Sequence, residues 1–314
     1  MILVVGPGAL GILFAARLAE VGAPVVLLDH DPARSARLTA SGLTIEDPLG
    51  GAPRTTRVPV TASVEGLAPE LVLLCVKVPA TAAAVQAIAA LPGRPIVLVL
   101  QNGLGRAAEV ARLLGDATRV LGGTTREAAT LLGEGRVLHA GRGPTRLAPL
   151  EWPRLELARR AQDLLLDQGQ LPVEVEPDLR RLEWEKVLVN AAINALTGVL
   201  RCKNGALLES PAAAELASAA AVEAATAARA LGVSDWSDED AVGEWRRVAR
   251  FTAGNTSSTL QDLSRGRTTE VHAINGAVAR AAQELGLPAP VNATLARLIA
   301  ALEELDGRPP APGG

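Results

Sequence analysis

Lys186, Asn190 and Asn194 recur every four residues in the stretch Trp184 to Leu196. On a helix that spacing puts all three on one face. Their neighbours are overwhelmingly apolar, so much of this helix should be buried. A buried ammonium and two buried amides cost free energy unless they are paired, and a bound polar ligand would supply the partners. The alternative is an ordinary solvated face, for which asparagine in a helix interior is a poor choice. Only three of the 31 lysines and arginines are lysines, at 77, 186 and 203, so each invites a functional question. An ammonium facing a ketone can stabilise the charge that develops on its oxygen during reduction, and can deliver the proton. Further on, Asn255-Thr256-Ser257-Ser258-Thr259 offers hydroxyls that either cap a helix or bind a carboxylate. Glu270 by itself reads as a surface acid, and His272 as structural.

The second chemical signal lies at the start of the chain. An apolar run, Ile2 to Val5, meets Gly6-Pro7-Gly8-Ala9-Leu10-Gly11, then a helical pattern to Val21, then Pro24 to Leu28 and Asp29. In a dinucleotide fold Gly6 permits the tight turn, Gly8 lets backbone approach the pyrophosphate, and Gly11 lets helix and strand pack closely. The helix N-terminus then faces the phosphates. Asp29, 18 residues after Gly11, is placed to take ribose hydroxyls. A purely structural glycine turn is the competing reading.

The elements that must position these residues alternate through the first 125 positions. Leu71 to Val76 and Ile96 to Leu100 are buried strands, and Lys77 and Asn102 follow them. Asp29, Lys77, Asn102 and Thr125 all fall at strand ends, where doubly wound sheets bind ligands. Pro48 to Pro59 reads as loop. Gly135 to Ala140 and Thr145 to Leu147 read as edge strands or a hairpin, followed by a helix from Pro153 to Leu166 and a strand at Val173 to Val175. After Pro177 the pattern becomes helical, with helices at Leu179 to Leu196, Pro211 to Leu231, Trp236 to Ala249, Glu270 to Leu285 and Asn292 to Glu304. The expected organisation is α/β: a Rossmann-like dinucleotide-binding domain over 1–176, an all-helical C-terminal domain over 177–308, and a tail over 309–314.

Composition narrows the classes. The 314 residues favour two domains, 48% hydrophobic content fits a soluble globular enzyme, and the net charge of −3 gives no sign of a nucleic-acid binder. The chain has no tyrosine, so base-stacking surfaces are not expected. No stretch reads as a signal peptide or membrane span. Cys75 and Cys202 read as reduced thiols of a cytoplasmic protein. His30, His139 and His272 are scattered, no paired ligand spacing exists, and no metal site is expected. Cys75 lies in a strand and no Gly-x-Ser-x-Gly elbow occurs, so hydrolysis is not supported.

These residues resemble the ketopantoate reductases (2-dehydropantoate 2-reductases) along nearly the whole chain. The resemblance runs through Gly6 to Gly11, Val76-Lys77, Gln101-Asn102-Gly103-Leu104-Gly105, Trp184-Glu185-Lys186, Asn190, Asn194 to Thr197, Cys202-Lys203-Asn204-Gly205, Ser257 to Asp262, Thr269-Glu270 and Ile274-Asn275-Gly276. It implies NADPH- or NADH-dependent reduction of 2-dehydropantoate to (R)-pantoate, in pantothenate and coenzyme A synthesis. Lys186 resembles the catalytic general acid, and Glu270 the acid that holds the substrate hydroxyl. Asn102, Asn190, Asn194, Asn204 and Ser258 resemble substrate-binding residues. Lys77 resembles a cofactor-side lysine, and Asn102 and Glu270 also count on the cofactor side. One departure is plain. The family commonly carries an arginine just after the second strand, where this chain has His30 preceded by Asp29. Asp29 favours NADH, whereas Arg34 and Arg37 could still receive a 2′-phosphate, so both cofactors stay open. A homodimer is expected from the family and from apolar surface on the alanine-rich run Ala212 to Ala230. Two alternatives stand beside this reading: a dehydrogenase of another 2-oxo or 3-hydroxy acid, and a non-catalytic dinucleotide-binding regulator.

Overall fold

The computed structural model describes residues 1–48, 50–151, 154–167 and 169–305. The helix start read at Pro153 and the 309–314 tail lie outside them. The chain divides into two units, Met1–Gln101 with Gly105–Leu182, and Asn102–Leu104 with the chain from Glu183.

The first unit opens with β1 (Ile2–Val5), α1 (Ala9–Glu20), β2 (Val25–Leu28) and α2 (Pro32–Ser41). Three short strands follow, β3 (Leu43–Glu46), β4 (Arg54–Thr56) and β5 (Val60–Thr61). The alternation resumes with β6 (Leu71–Leu74), α3 (Thr81–Ala89), β7 (Ile96–Val99), α4 (Arg106–Leu114) and β8 (Val120–Thr125). The unit continues with β9 (Ala128–Gly133), β10 (Arg136–Gly141), β11 (Thr145–Pro149), α5 (Leu155–Asp167) and β12 (Val173–Val175). The main sheet has the order β12-β11-β8-β7-β6-β1-β2-β5. All its neighbours are parallel except β11 with β8.

Its strands are apolar throughout because both faces are covered. In β1, Ile2 and Val4 join the core beneath α1 and α5, while Leu3 and Val5 join the opposite core beneath α3 and α4. β1 lies between β2 and β6, so strand order reverses there and opens a crevice at the carboxyl ends. Gly6, Asp29 and Lys77 follow these three strands.

A second sheet, β4-β3-β10-β9, corrects the sequence reading in three places. The stretch Pro48 to Pro59 is not all loop, since Arg54–Thr56 pairs antiparallel with β3. β10 is an internal strand of this sheet, and β11 an internal strand of the main one, so the two form neither edges nor a hairpin. β9 shows no apolar alternation that would announce it, with Ala128 to Leu131 half-buried.

The second unit is helical: α6 (Leu179–Leu200), α7 (Ala206–Glu209), α8 (Pro211–Ala230), α9 (Asp238–Phe251), α10 (Ser258–Ser264), α11 (Asn275–Glu284) and α12 (Pro290–Leu305). The first turn of α6 belongs to the first unit. Ser210 caps α8 by accepting from the Ala213 amide, with Pro211 in the first turn. Ser237 and Asp240 form a reciprocal capping box at α9. The helix read from Glu270 to Leu285 is broken. A 3₁₀ turn covers Val271–Ala273, and Ile274 leaves helical geometry at ψ −90° before α11 begins. Much of the alanine-rich run faces inward, while Ala212, Leu216 and Ala230 are exposed. Ala213, Ala217, Ala220, Ala221, Ala224, Ala225, Ala227 and Ala228 are all buried in the unit's own core. Small side chains there let neighbouring helices approach closely.

Candidate active site

The glycine turn is built as a dinucleotide cradle requires. Gly6 has φ +106°, and a Cβ on it would lie 2.7 Å from Val76 Cγ1. A Cβ on Gly11 would collide with the Gly6 carbonyl oxygen, so close passage of α1 over β1 demands glycine. Gly8 is different: its φ is −77°, and a Cβ there meets nothing within 4 Å. It caps α1 with no side chain, which leaves first-turn amides for an anion. Pro7, Ala9 and Leu10 complete this turn. The residues present fit a dinucleotide, with Gly8 on the side where its pyrophosphate would approach.

Beyond β2, the Asp29 carboxylate is fully buried and held by Arg34 through Nε and Nη2. The Asp31 amide also donates to it, at 3.2 Å. The side-chain bond to Asp29 raises the Arg34 guanidinium above its already high pKa. His30 is exposed, with Nδ1 3.4 Å from Asp29 Oδ1. Lys77 directly precedes the 3₁₀ turn at Val78–Ala80, past the end of β6.

In the second unit α6 carries Lys186, half-buried, and Asn190 and Asn194, 9% and 8% exposed. Asn194 Nδ2 donates to Ser258 Oγ at 3.4 Å. Thr197 and Ser257 join their hydroxyls at 2.7 Å, which docks the start of α10 on α6. The hydroxyl stretch therefore divides its work. Ser257 caps α10 by accepting from the Leu260 amide, and Ser258 sits beside Asn194. Asn204 donates to Thr252 Oγ1 at 3.0 Å, and its own Oδ1 is buried without a hydrogen-bond partner.

Glu270 is no surface acid: it is 6% exposed. Asn102 Nδ2 donates to its Oε2 at 2.9 Å, across 168 positions of sequence. The backbone enforces that meeting. Gly103, at φ +107°, packs so tightly on Ala273 that a Cβ would lie 2.6 Å from its carbonyl oxygen, and the Leu104 amide donates to the same carbonyl at 3.2 Å. The His272 main-chain carbonyl accepts from Arg280 Nη2 at 2.9 Å.

Four supporting residues have no assigned role in the sequence reading. Glu303 is 1% exposed and accepts the Thr269 amide at 2.6 Å, steadying the residue before Glu270. On an amphipathic helix such a glutamate looks like a solvated one. Gln101 donates to the Val76 carbonyl at 3.0 Å and to Thr81 Oγ1 at 2.8 Å, tying the end of β7 to the loop that carries Lys77. Asn275 joins the Ala191 carbonyl on α6 to Asn292 on α12, and Glu223 accepts both amides that open α12. The cysteines are both free thiols, and burial pushes Cys75 up to about 12, which leaves it inert as a nucleophile. Among the described residues no group of three or more His, Cys, Asp or Glu could hold a metal ion, and no helix is long and apolar enough to cross a membrane.

Fold and site together define a class: a dinucleotide-dependent oxidoreductase with a Rossmann-like unit followed by a helical unit that holds a lysine, two asparagines and a buried glutamate. Two family models match, ketopantoate reductase PanE/ApbA over residues 2–152 and its C-terminal part over residues 178–303. The 2-dehydropantoate 2-reductase of Halobacterium salinarum is 38% identical over 308 residues, covering 98% of this chain and 99% of that protein. The crystal structure of a PanE/ApbA family ketopantoate reductase from Ralstonia eutropha JMP134 matches with a TM-score of 0.84 at 30% identity, over 98% of this chain and 100% of that one. The fold is shared with D-mandelate dehydrogenase, solved with NADH and anilino(oxo)acetate, at a TM-score of 0.90 and 23% identity, over 98% and 100% of the two chains. The chain belongs to the ketopantoate reductase family. As a member it is an NAD(P)H-dependent oxidoreductase.

Proposed function

We propose that this protein reduces 2-dehydropantoate to (R)-pantoate, in the route to pantothenate and coenzyme A. The observation that carries the reading is the buried Asn102–Glu270 pair, set in the same unit as the Lys186, Asn190 and Asn194 face of α6. A bound reduced nicotinamide would supply the hydride for the C2 ketone. The chain's own residues supply the rest. In this reading the Lys186 ammonium stabilises the alkoxide forming on the C2 oxygen and hands it a proton, regaining one from solvent. Glu270 accepts the substrate's hydroxyl proton in a hydrogen bond, with Asn102 holding the other end of its carboxylate in place. Ser258 and Asn194 present a hydroxyl and an amide to the substrate carboxylate, and Asn190 and Asn204 orient the remaining polar groups. Burial of these amides raises the value of each hydrogen bond made to a ligand. Homodimerisation and a cytoplasmic location belong to the same proposal. The dimer is supported by the family and by the few exposed apolar residues of α8, Ala212, Leu216 and Ala230.

The test is initial-rate oxidation of reduced dinucleotide with 2-dehydropantoate, beside a panel of other 2-oxo acids that includes the oxo acid of mandelate. Turnover with 2-dehydropantoate well above the rest of the panel is expected. Faster turnover of another oxo acid would replace the substrate assignment, and binding of dinucleotide without turnover of any would replace the catalytic one.

A further inference from the structure

The end of β2 borders the glycine turn. Leu28 pairs with Val5, and the Gly6 amide donates to the Leu28 carbonyl at 3.0 Å. Residues 29 to 37 therefore face the position where a dinucleotide fold holds the adenosine ribose. Every charged group in that stretch has a recorded partner. Arg34 grips both oxygens of Asp29, whose side chain has no exposed surface. Asp31 caps α2, accepting the Arg34 amide at 3.0 Å. Arg37 is bidentate on Glu134, through Nε at 2.7 Å and Nη2 at 2.9 Å. Both guanidiniums are raised in pKa, Arg34 by its bond to Asp29 and Arg37 by its bond to Glu134. The Arg34 guanidinium offsets Asp29, Arg37 and Glu134 neutralise each other, and the Asp31 carboxylate bonds main chain at the Arg34 amide. The cluster is thus left with one net negative charge.

We propose that this protein selects NADH over NADPH, and that the pairing of Asp29, Asp31, Arg34 and Arg37 sets the choice. The inference rests on the dinucleotide reading of the Gly6 to Gly11 turn. A 2′-phosphate that drew Arg34 off Asp29 would leave a buried charge uncompensated, and one that used only the remaining Arg34 N–H groups would meet a guanidinium whose charge Asp29 already offsets. Drawing Arg37 away leaves Glu134 beside the phosphate instead. A phosphate that displaced neither would sit against a net negative cluster. The 2′-hydroxyl of NADH is neutral and brings no charge for the cluster to repel. Arg34 and Arg37, which the sequence offers as phosphate receivers, are in this structure the partners that hold the acids in place.

Calorimetric titration of the full-length protein with NADH and with NADPH, without substrate, tests this apart from catalysis. Wild type should bind NADH about tenfold or more tightly than NADPH, as expected for a phosphate dianion meeting like charge at short range. Asp31→Asn keeps an equally good helix cap and removes one negative charge, so the NADH:NADPH affinity ratio should fall about threefold. Asp29→Asn should lower the ratio further by releasing Arg34, with thermal melting reporting whether that variant folds; Asp31→Asn carries the test if it does not. NADPH binding as tightly as NADH in the wild type, or a ratio unmoved by Asp31→Asn, would overturn the inference and leave the dinucleotide reading standing. A folded wild-type protein that binds neither would remove both.

Discussion

The two units build their candidate binding surfaces from different parts of the chain. In the first, the surface offered to a dinucleotide is mostly main chain: the Gly6 turn, the open face of Gly8 and the first amides of α1. Its side chains near that surface, such as Asp29 and Arg34, are bound to one another. In the second, the polar surface is made of side chains on α6, α10 and the segment around Glu270. The cores differ in the same sense. Branched aliphatics from β1, β6 and β7 fill the first, whereas alanines of α8 and large residues such as Trp245 share the second. A site made of backbone tolerates most side-chain changes and fails at its glycines. A site made of side chains fails residue by residue.

The largest expected effect is Lys186→Ala. It should lower kcat by about 10³-fold, near 4 kcal/mol, with dinucleotide affinity measured by titration nearly unchanged. Equal loss of both would mean that the separation between the units is not functional. Next is Glu127→Gln, in a buried ionic cluster of the first unit. Glu127 joins Arg17 and His139 beneath the second sheet, with 3% of its side chain exposed. Burial alone would raise its pKa, but His139 and Arg17 outweigh that and the carboxyl lies below its ordinary value. Removing the charge should cost about 3 kcal/mol in denaturant unfolding. A depressed folded pKa means the contribution is complete above the unfolded value, about pH 4.3, and is lost as pH falls through the lower folded one. The gap between wild type and variant should therefore close in acid, and a pH-independent gap would refute the ionic account.

Ala221→Leu probes the alanine core and should cost about 2 kcal/mol by overpacking, with no effect on dinucleotide affinity. A neutral outcome would mean that α8 has room its burial does not suggest. The smallest effect is expected at Gly8, where a Cβ meets nothing within 4 Å. Gly8→Ala should leave the melting temperature within about 3 °C, yet weaken dinucleotide binding about tenfold, near 1.4 kcal/mol. If Gly8→Ala bound as tightly as wild type, the main chain at that point would not be the ligand surface.

Much of this architecture can be read in the chain because it depends on local pattern. Ile2–Val5, Leu71–Leu74 and Ile96–Val99 are continuous apolar runs, and only strands covered on both faces need them. Gly6 and Gly11 are spaced for a turn that admits no Cβ, and the four-residue repeat from Lys186 to Asn194 marks a helix face. The second sheet escaped because its edge strand, Arg54-Thr55-Thr56, is polar and exposed, and carries no periodicity to detect. The break at Ile274 escaped because the residues on both sides suit a helix, while the turn is set by packing of Gly103 and Leu104 on Ala273.

Pairing is where tertiary structure takes over. Periodicity and glycine spacing are properties of neighbours along the chain, and they survive in the sequence as pattern. Which carboxylate a guanidinium holds depends on distance in space, and every arginine is chemically able to hold every acid. Asp29 with Arg34, Glu270 with Asn102, Thr269 with Glu303 and Glu127 with His139 are choices of that kind. Composition offered many partners to each, and the folded backbone brought only a few within reach.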